Sequence, residues 1–294
     1  EIENVVTTND ELYRAFTDDA DRTDPATKEV LRYEDALWHG YAHLQRGGRL
    51  DTGLFLELVR IIKQQELPIR RISGTQIGNA QTGDIIYTPP VGEDRLRGLL
   101  ENLTDYFDAA DDLDPLIKLA VAHYQFEAIH PFPDGNGRTG RVLNILLLLY
   151  WRRLDLPILY LSQAIIRNKS AYYAGLRQVT EDGAWEPWIL YMLDAVEQTA
   201  RDTRLRLERV RTALREAIDD AKARMVRGYS KELIELIFEQ PYTRISTLER
   251  AEIAKRDAAS NYLRELERIG LLQSRKYGRE VLYLNRRLME LLSV

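Results

Sequence analysis

Apolar residues recur at three- and four-residue spacing through most of this chain, the period of helices with one buried face. From Thr27 to Leu44 the apolar positions are Val30, Leu31, Ala36, Leu37, Tyr41 and Leu44. Thr52 to Gln65 repeats the pattern, with Asp51 placed to cap its start. Gly92 to Ala109 and Pro115 to Ile129 read as two further helices, the second delivering His130 at its end, and the run from Val142 to Trp151 is apolar at helical length. Between Pro68 and Pro90 the period breaks. There Ser73, Gly74, Gly78, Asn79 and Gly83 punctuate short segments that end in Asp84-Ile-Ile-Tyr-Thr88, the pattern of a hairpin.

Ala184-Trp-Glu-Pro-Trp188 opens a helix that runs on to Arg227. Its second half, from Ala200, is rich in arginine and reads as a connecting or solvent-facing helix. Beyond it, Lys231 to Glu239, Ile245 to Ala254 and Asp257 to Ile269 are three helical stretches. Leu271-Leu-Gln and Glu280-Val-Leu-Tyr-Leu284 then flank Tyr277-Gly278 as a small hairpin. Three helices and a hairpin resemble a winged helix. The predicted fold class is therefore mostly α, in three parts: residues 1–199, a connecting helix at 200–228, and a winged-helix-like domain at 229–294.

Composition narrows the classes of partner. A chain of 294 residues with 45% hydrophobic and 30% charged residues is of soluble globular type and long enough for a sizeable core. A net charge of -5 gives no general affinity for nucleic acid or an anionic membrane. With no cysteine there is neither a disulfide framework nor thiolate chemistry. The longest apolar run, Ile145 to Trp151, is too short to span a bilayer, and no secretory signal pattern opens the chain. The expected location is the cytoplasm. Because the chain opens on Glu1 rather than Met, a segment upstream of it is expected.

The chemistry concentrates in twelve residues, His130-Pro-Phe-Pro-Asp-Gly-Asn-Gly-Arg-Thr-Gly-Arg141. A glycine-rich loop opening a helix presents unpaired N–H groups at the positive end of the helix dipole, which suits an anion. Arg138 and Arg141 add guanidinium forks matched to phosphate oxygens. His130 can take a proton near neutral pH, and Asp134 can hold a hard cation such as Mg2+. An Asp-Gly-Asn-Gly stretch alone is ordinary turn chemistry. Two arginines one turn apart beside an apolar helix are harder to explain without a partner.

The twelve residues match, at every defined position, the signature of Fic-domain proteins, His-x-Phe-x-(Asp/Glu)-Gly-Asn-Gly-Arg-x-x-Arg. Ile85-Ile-Tyr-Thr-Pro-Pro90 resembles the strand closing that family's substrate-docking hairpin, and Asn168-Lys-Ser-Ala-Tyr-Tyr173 resembles its adenosine-side segment. The resemblance implies a Fic-type helical bundle with a small β-hairpin flap. It also implies a protein AMP-transferase that moves AMP from ATP to a Ser, Thr or Tyr hydroxyl of a target protein, or of itself. His130 is then the base, and Asp134 ligates Mg2+ bridging the phosphates. Gly135, Asn136 and Gly137 form the anion-binding turn, Arg138 stabilises the departing pyrophosphate, and Arg141 holds the γ-phosphate. Phe132 anchors the loop. Asn168 either hydrogen-bonds the nucleotide or caps a helix. The target protein docks by strand addition along residues 74–90.

Glu1-Ile-Glu3-Asn4 is similar to the end of the family's inhibitory motif, (Ser/Thr)-x-x-x-Glu-(Gly/Asn). The match implies that Glu3 pairs with Arg141 and keeps ATP in an unproductive pose. In some relatives the same glutamate assists removal of AMP, so deAMPylation at this site is an open alternative. The rival class is a DNA-binding regulator. Residues 229–294 hold 12 Lys/Arg against 10 Asp/Glu, with Lys255 and Arg256 placed for phosphates and Ser260 and Asn261 for bases. So small an excess equally fits a protein-docking or homodimerisation module. His39 and His43, four apart, lack a third ligand at metal spacing, and His123 reads as a core residue.

Overall fold

Helices form where the periodicity places them, and a few local devices set their ends. The computed structural model describes residues 8–15, 24–71, 77–78, 85–277 and 280–293. In chain order the elements are α1 (Asn9–Ala15), α2 (Pro25–Gln45), α3 (Thr52–Lys63), β1 (Ile77–Gly78), β2 (Ile85–Tyr87), α4 (Glu93–Asp108), α5 (Pro115–Ile129) and α6 (Asn136–Tyr150). There follow α7 (Leu161–Arg167), α8 (Lys169–Asp182), α9 (Trp185–Arg224), α10 (Lys231–Leu236), β3 (Tyr242–Thr243), α11 (Ile245–Arg250), α12 (Arg256–Arg268), β4 (Gln273–Tyr277), β5 (Glu280–Leu284) and α13 (Arg286–Leu292). Among the described residues no helix is long and apolar enough to cross a membrane.

The chain divides into two compact units, residues 28–201 and residues 202–294 together with α1. In the first, α6 is the central helix, buried from Thr139 to Leu148. Helices α3 and α5 pack against it, and Phe55 of α3 meets Phe126 of α5 edge to face at 5.7 Å. Asp51 caps α3 by accepting from the Leu54 N–H at 2.9 Å, so Leu54, Phe55, Leu58, Val59 and Ile62 all face the core. Asp114 caps α5 in the same way, with Pro115 at the first helical position, where its missing N–H leaves no bond unmade. The short β1 and β2 pair antiparallel, Ile77 opposite Tyr87, at the place of the expected hairpin. The rest of that hairpin, residues 72–76 and 79–84, lies outside the described residues.

The second unit closes its own core from α10, α11, α12 and the last turns of α9, around Leu233, Ile234, Leu248, Leu263 and Leu266. Its sheet runs in the order β3-β5-β4, all antiparallel. Helix α1 belongs here: Tyr13 packs on Tyr242, Leu282 and Leu284, and the Tyr242 hydroxyl donates to Asp10. Two expectations need correction. The arginine-rich half of α9 is not wholly solvent-facing, because Ala213, Ala217 and Ala221, four apart, are buried as a narrow small-residue seam. The first strand of the hairpin is Gln273–Tyr277 rather than Leu271-Leu-Gln, since Leu272 is drawn into the core and ladder pairing starts at Gln273 opposite Leu284. Elements β3, α1, α7, α8 and α13 add to those that the periodicity predicts.

One buried cation fixes the corner where α5 ends. Arg70, 5% exposed, donates to the carbonyl oxygens of His130 (2.6 Å), Pro90 (3.1 Å) and Ile129 (3.3 Å). Its own N–H bonds the Pro131 carbonyl at 2.9 Å. Burial pushes the guanidinium below its usual pKa, yet an arginine stays charged at any physiological pH. Replacing Arg70 with Met should remove three charge-assisted bonds, leave buried carbonyls short of donors, and destabilise the fold by roughly 3 kcal/mol. Urea unfolding of the two proteins measures this, and equal midpoints would show that the clamp is dispensable.

Candidate active site

His130 stands at the end of α5 with φ 47°, a left-handed conformation uncommon for a residue with a side chain. Its N–H bonds the Phe126 carbonyl, and its own carbonyl is the oxygen held by Arg70. Non-glycine residues in this region persist where the surroundings over-determine them, and they cluster at functional sites. Phe132, fully buried in the main core, anchors the following turn. Asn136 then locks it: the side-chain carbonyl accepts from the Phe132 N–H at 2.8 Å, and the side-chain amide donates to the Phe132 carbonyl at 2.7 Å. Gly135 supplies the left-handed turn (φ 82°) that a helix start at Asn136 requires. A β-carbon at Gly135 would also press on Val59 at 3.1 Å and on the Lys63 stem at 3.3 Å.

These constraints aim the first turn of α6 into a cavity of about 530 Å³. It is lined by His130, Asp134, Gly135, Asn136, Gly137, Arg138 and Arg141 on one side, and by Tyr172, Tyr173 and Leu176 of α8 on the other. The structure thus brings together seven of the sequence-predicted residues or their immediate backbone. Phe132 is an internal anchor and does not line the cavity. Asn136 reaches the cavity while its side chain is engaged by Phe132, so the contribution left to it there is backbone. Asn168 precedes α8 without a side-chain capping bond and is not among the cavity's lining residues. The same segment lines the cavity through Tyr172 and Tyr173. Glu3 lies outside the described residues.

The charges of the site are compensated from other helices. Asp134 pairs through one oxygen with Lys63 at the end of α3, while its other oxygen accepts from the Gly135 N–H at 2.6 Å and lies 3.4 Å from Arg138. Arg138 also pairs with Glu29 of α2. Sequence reading missed Lys63, Glu29 and Arg70, because each comes from an element far from the signature and nothing in its neighbours marks it. Arg141 is 7% exposed. It faces the environment of His123, whose pKa falls to about 3 through burial and the Arg141 charge. Neutral His123 bonds the Tyr172 hydroxyl at 3.0 Å and stacks on Trp188, as a core histidine should. Burial holds the Tyr172 phenol well above its usual range, so it remains a neutral hydrogen-bonding wall.

No group of three or more acidic, histidine or cysteine side chains that could hold a metal exists among the described residues. A single carboxylate, Asp134, half exposed at the cavity mouth, nevertheless fits Mg2+ carried in with phosphates, since that ion keeps several waters and commonly takes only one or two protein carboxylates. Elsewhere His39 Nε2 meets Glu57 at 2.7 Å and His43 Nε2 meets the Arg49 carbonyl at 3.0 Å. Lys255, just before α12, and Arg256 and Asn261 on it are exposed, whereas the Ser260 hydroxyl accepts from Arg264 at 2.8 Å.

Comparison with known proteins places these features. Family models match in three stretches: Fic/DOC family N-terminal over residues 1–42, Fic/DOC family over 49–148, and the C-terminal domain of SoFic-like protein adenylyltransferases over 214–288. Protein adenylyltransferase fic-1 of Caenorhabditis briggsae is 35% identical over 99 residues, 32% of this chain and 18% of that protein. Protein adenylyltransferase Fic of Drosophila grimshawi is 32% identical over 173 residues, 58% of this chain and 34% of that protein. The matches therefore span only about a fifth to a third of the length of these curated relatives. A Fic family protein from Desulfovibrio desulfuricans G20 shares the fold with a TM-score of 0.58 at 20% identity, over 96% of this chain and 82% of that one. The two other models flank the Fic/DOC match in order, and residues 49–148, which contain the whole His130–Arg141 turn, are a Fic/DOC family domain.

Proposed function

We propose that the protein is an AMP-transferase that moves AMP from ATP to a hydroxyl group of a target protein. The observation that carries this reading is the convergence of His130, Asp134, Arg138, Arg141 and the amino end of α6 on one cavity with an aromatic far wall. The relatives' names as protein adenylyltransferases support it. The tyrosine wall of α8 offers faces for a purine, and the N–H groups of the first α6 turn with the two arginines suit the polyphosphate.

In this reading His130 removes the proton from a Ser, Thr or Tyr hydroxyl as its oxygen attacks the α-phosphorus. The bond from that phosphorus to the bridging oxygen breaks, and pyrophosphate leaves against Arg138 and Arg141, where charge accumulates. Asp134 would hold Mg2+, which when bound neutralises phosphate charge. Arg70 keeps the His130 peptide in place from behind, and the target backbone lies along the β1–β2 hairpin. Tyr87, at the end of that hairpin, donates its hydroxyl to the Ala128 carbonyl at 2.9 Å, which ties the docking edge to the helix carrying His130.

Regulation by Glu3 is part of the same proposal. Arg141 is nearly buried, and a carboxylate reaching it in that desolvated setting competes directly with a phosphate oxygen. The tail, residues 229–294, is read as a protein-docking or dimerisation module rather than a DNA reader. Of its two candidate base-contacting side chains, Ser260 is already bonded within its own helix.

His130→Ala should abolish AMP transfer to target protein or to itself while ATP affinity, measured by calorimetry, changes less than about twofold. Transfer at the wild-type rate would remove His130 as the base. Glu3→Gly should raise the transfer rate at fixed ATP, read as labelled protein per minute, and equal rates in the two proteins would contradict the inhibitory pairing.

A further inference from the structure

Lys63 ends α3, and α3 is held by five buried side chains, so the lysine's backbone is a fixed point. Its stem passes under the turn that starts α6: a β-carbon at Gly135 would stand 3.3 Å from Lys63 Cγ and 3.5 Å from Cδ. The ammonium group lies on the Asp134 carboxylate, and Lys63 lines the same cavity as Arg138 and Arg141. A basic residue in the last turn of a helix needs no ligand to justify it, because the helix dipole favours it there. This one is different in that its side chain is drawn inward, 23% exposed, to a carboxylate at the mouth of an anion-binding turn.

The two cations cannot share that carboxylate oxygen. Any dication that enters with a nucleotide and takes Asp134 must displace the ammonium, since like charges at contact distance repel strongly in a half-dry cleft. The fixed stem keeps the freed ammonium beside the α6 amino end, where the phosphate oxygens are gathered. We propose that Lys63 is a further phosphate-binding residue of the site: paired with Asp134 when the cavity is empty of nucleotide, and transferred to the β- or γ-phosphate oxygens when it is filled. This rests on the ATP reading of the cavity. A lysine suits such an exchange because it is a compact charge on a flexible stem, satisfied by either partner without a fixed fork geometry.

The test is calorimetric binding of ATP, ADP and AMP, with Mg2+, to the full chain as wild type, Lys63→Met and Lys63→Arg. Lys63→Met should weaken ATP and ADP by about tenfold, as expected for a lost hydrogen bond to a charged group, and leave AMP within about twofold. Lys63→Arg should restore most of the loss. ATP binding to Lys63→Met at wild-type strength would overturn the proposal. So would an equal loss for all three nucleotides, which would mean that the lysine only orders the Asp134 loop. A melting curve checks that both variants are folded, and the arginine variant keeps the charge where the methionine variant proves unstable. If the wild type binds none of the three nucleotides, the ATP reading itself fails, a result distinct from either of these.

Discussion

The pair of hydrogen bonds between the Asn136 side chain and the Phe132 backbone is the constraint on which the site depends. It converts a loop of glycine and proline into a turn of single geometry, with α6 starting at one defined residue. A helix start is useful for holding anions only if its first N–H groups face the ligand and not a neighbouring carbonyl. Asn136 achieves this by occupying the Phe132 backbone groups itself. Phe132, sunk in the core, and Arg70, bonded to the His130 carbonyl, hold the turn's beginning from the other side. The strained backbone of His130 is therefore maintained by the packing of Phe132, inside the signature motif, and by the buried guanidinium of Arg70, outside it.

The same economy governs the charges. Without ligand, Asp134 and Arg138 would oppose each other's desolvation only weakly at 3.4 Å. Lys63 and Glu29 complete the compensation from α3 and α2, so that the cavity presents balanced ion pairs rather than bare charges. Of these groups Asp134 is the one half exposed to solvent, so its pairing with Lys63 is the one most readily exchanged for a better partner. Such a site is preorganised in position yet not locked in charge. A polyphosphate with its cation offers both Asp134 and the arginines partners of higher charge, and this favours the exchange.

Much of the site was legible because its chemistry is contiguous: His130, Asp134, the glycines, Arg138 and Arg141 all lie within twelve residues. What supports them was not legible. Lys63 of α3, Glu29 of α2 and Arg70 of the stretch between α3 and β1 reach the turn from distant parts of the chain, and nothing in their sequence spacing ties them to it. The helices followed from the apolar period, whereas the second unit misled in two places. Ala213, Ala217 and Ala221 form a buried seam too narrow to show against the arginines around it. Strand β4, Gln-Ser-Arg-Lys-Tyr, is an edge strand whose polar residues face solvent, so its hydrophobic pattern is weak. Within the Asn168–Tyr173 segment, Tyr172 and Tyr173 are the residues that line the cavity.

The central claim is that the α-phosphoryl group, with its nucleoside, is transferred to protein. Parallel incubations of the full chain with Mg2+ and ATP labelled at either the α- or the γ-phosphate decide it most directly, with protein-bound label as the readout and His130→Ala as the blank. Label retained from the α-position alone, and lost in the variant, is the predicted result. Label from the γ-position, or from neither position with the Glu3→Gly protein included, would contradict the account.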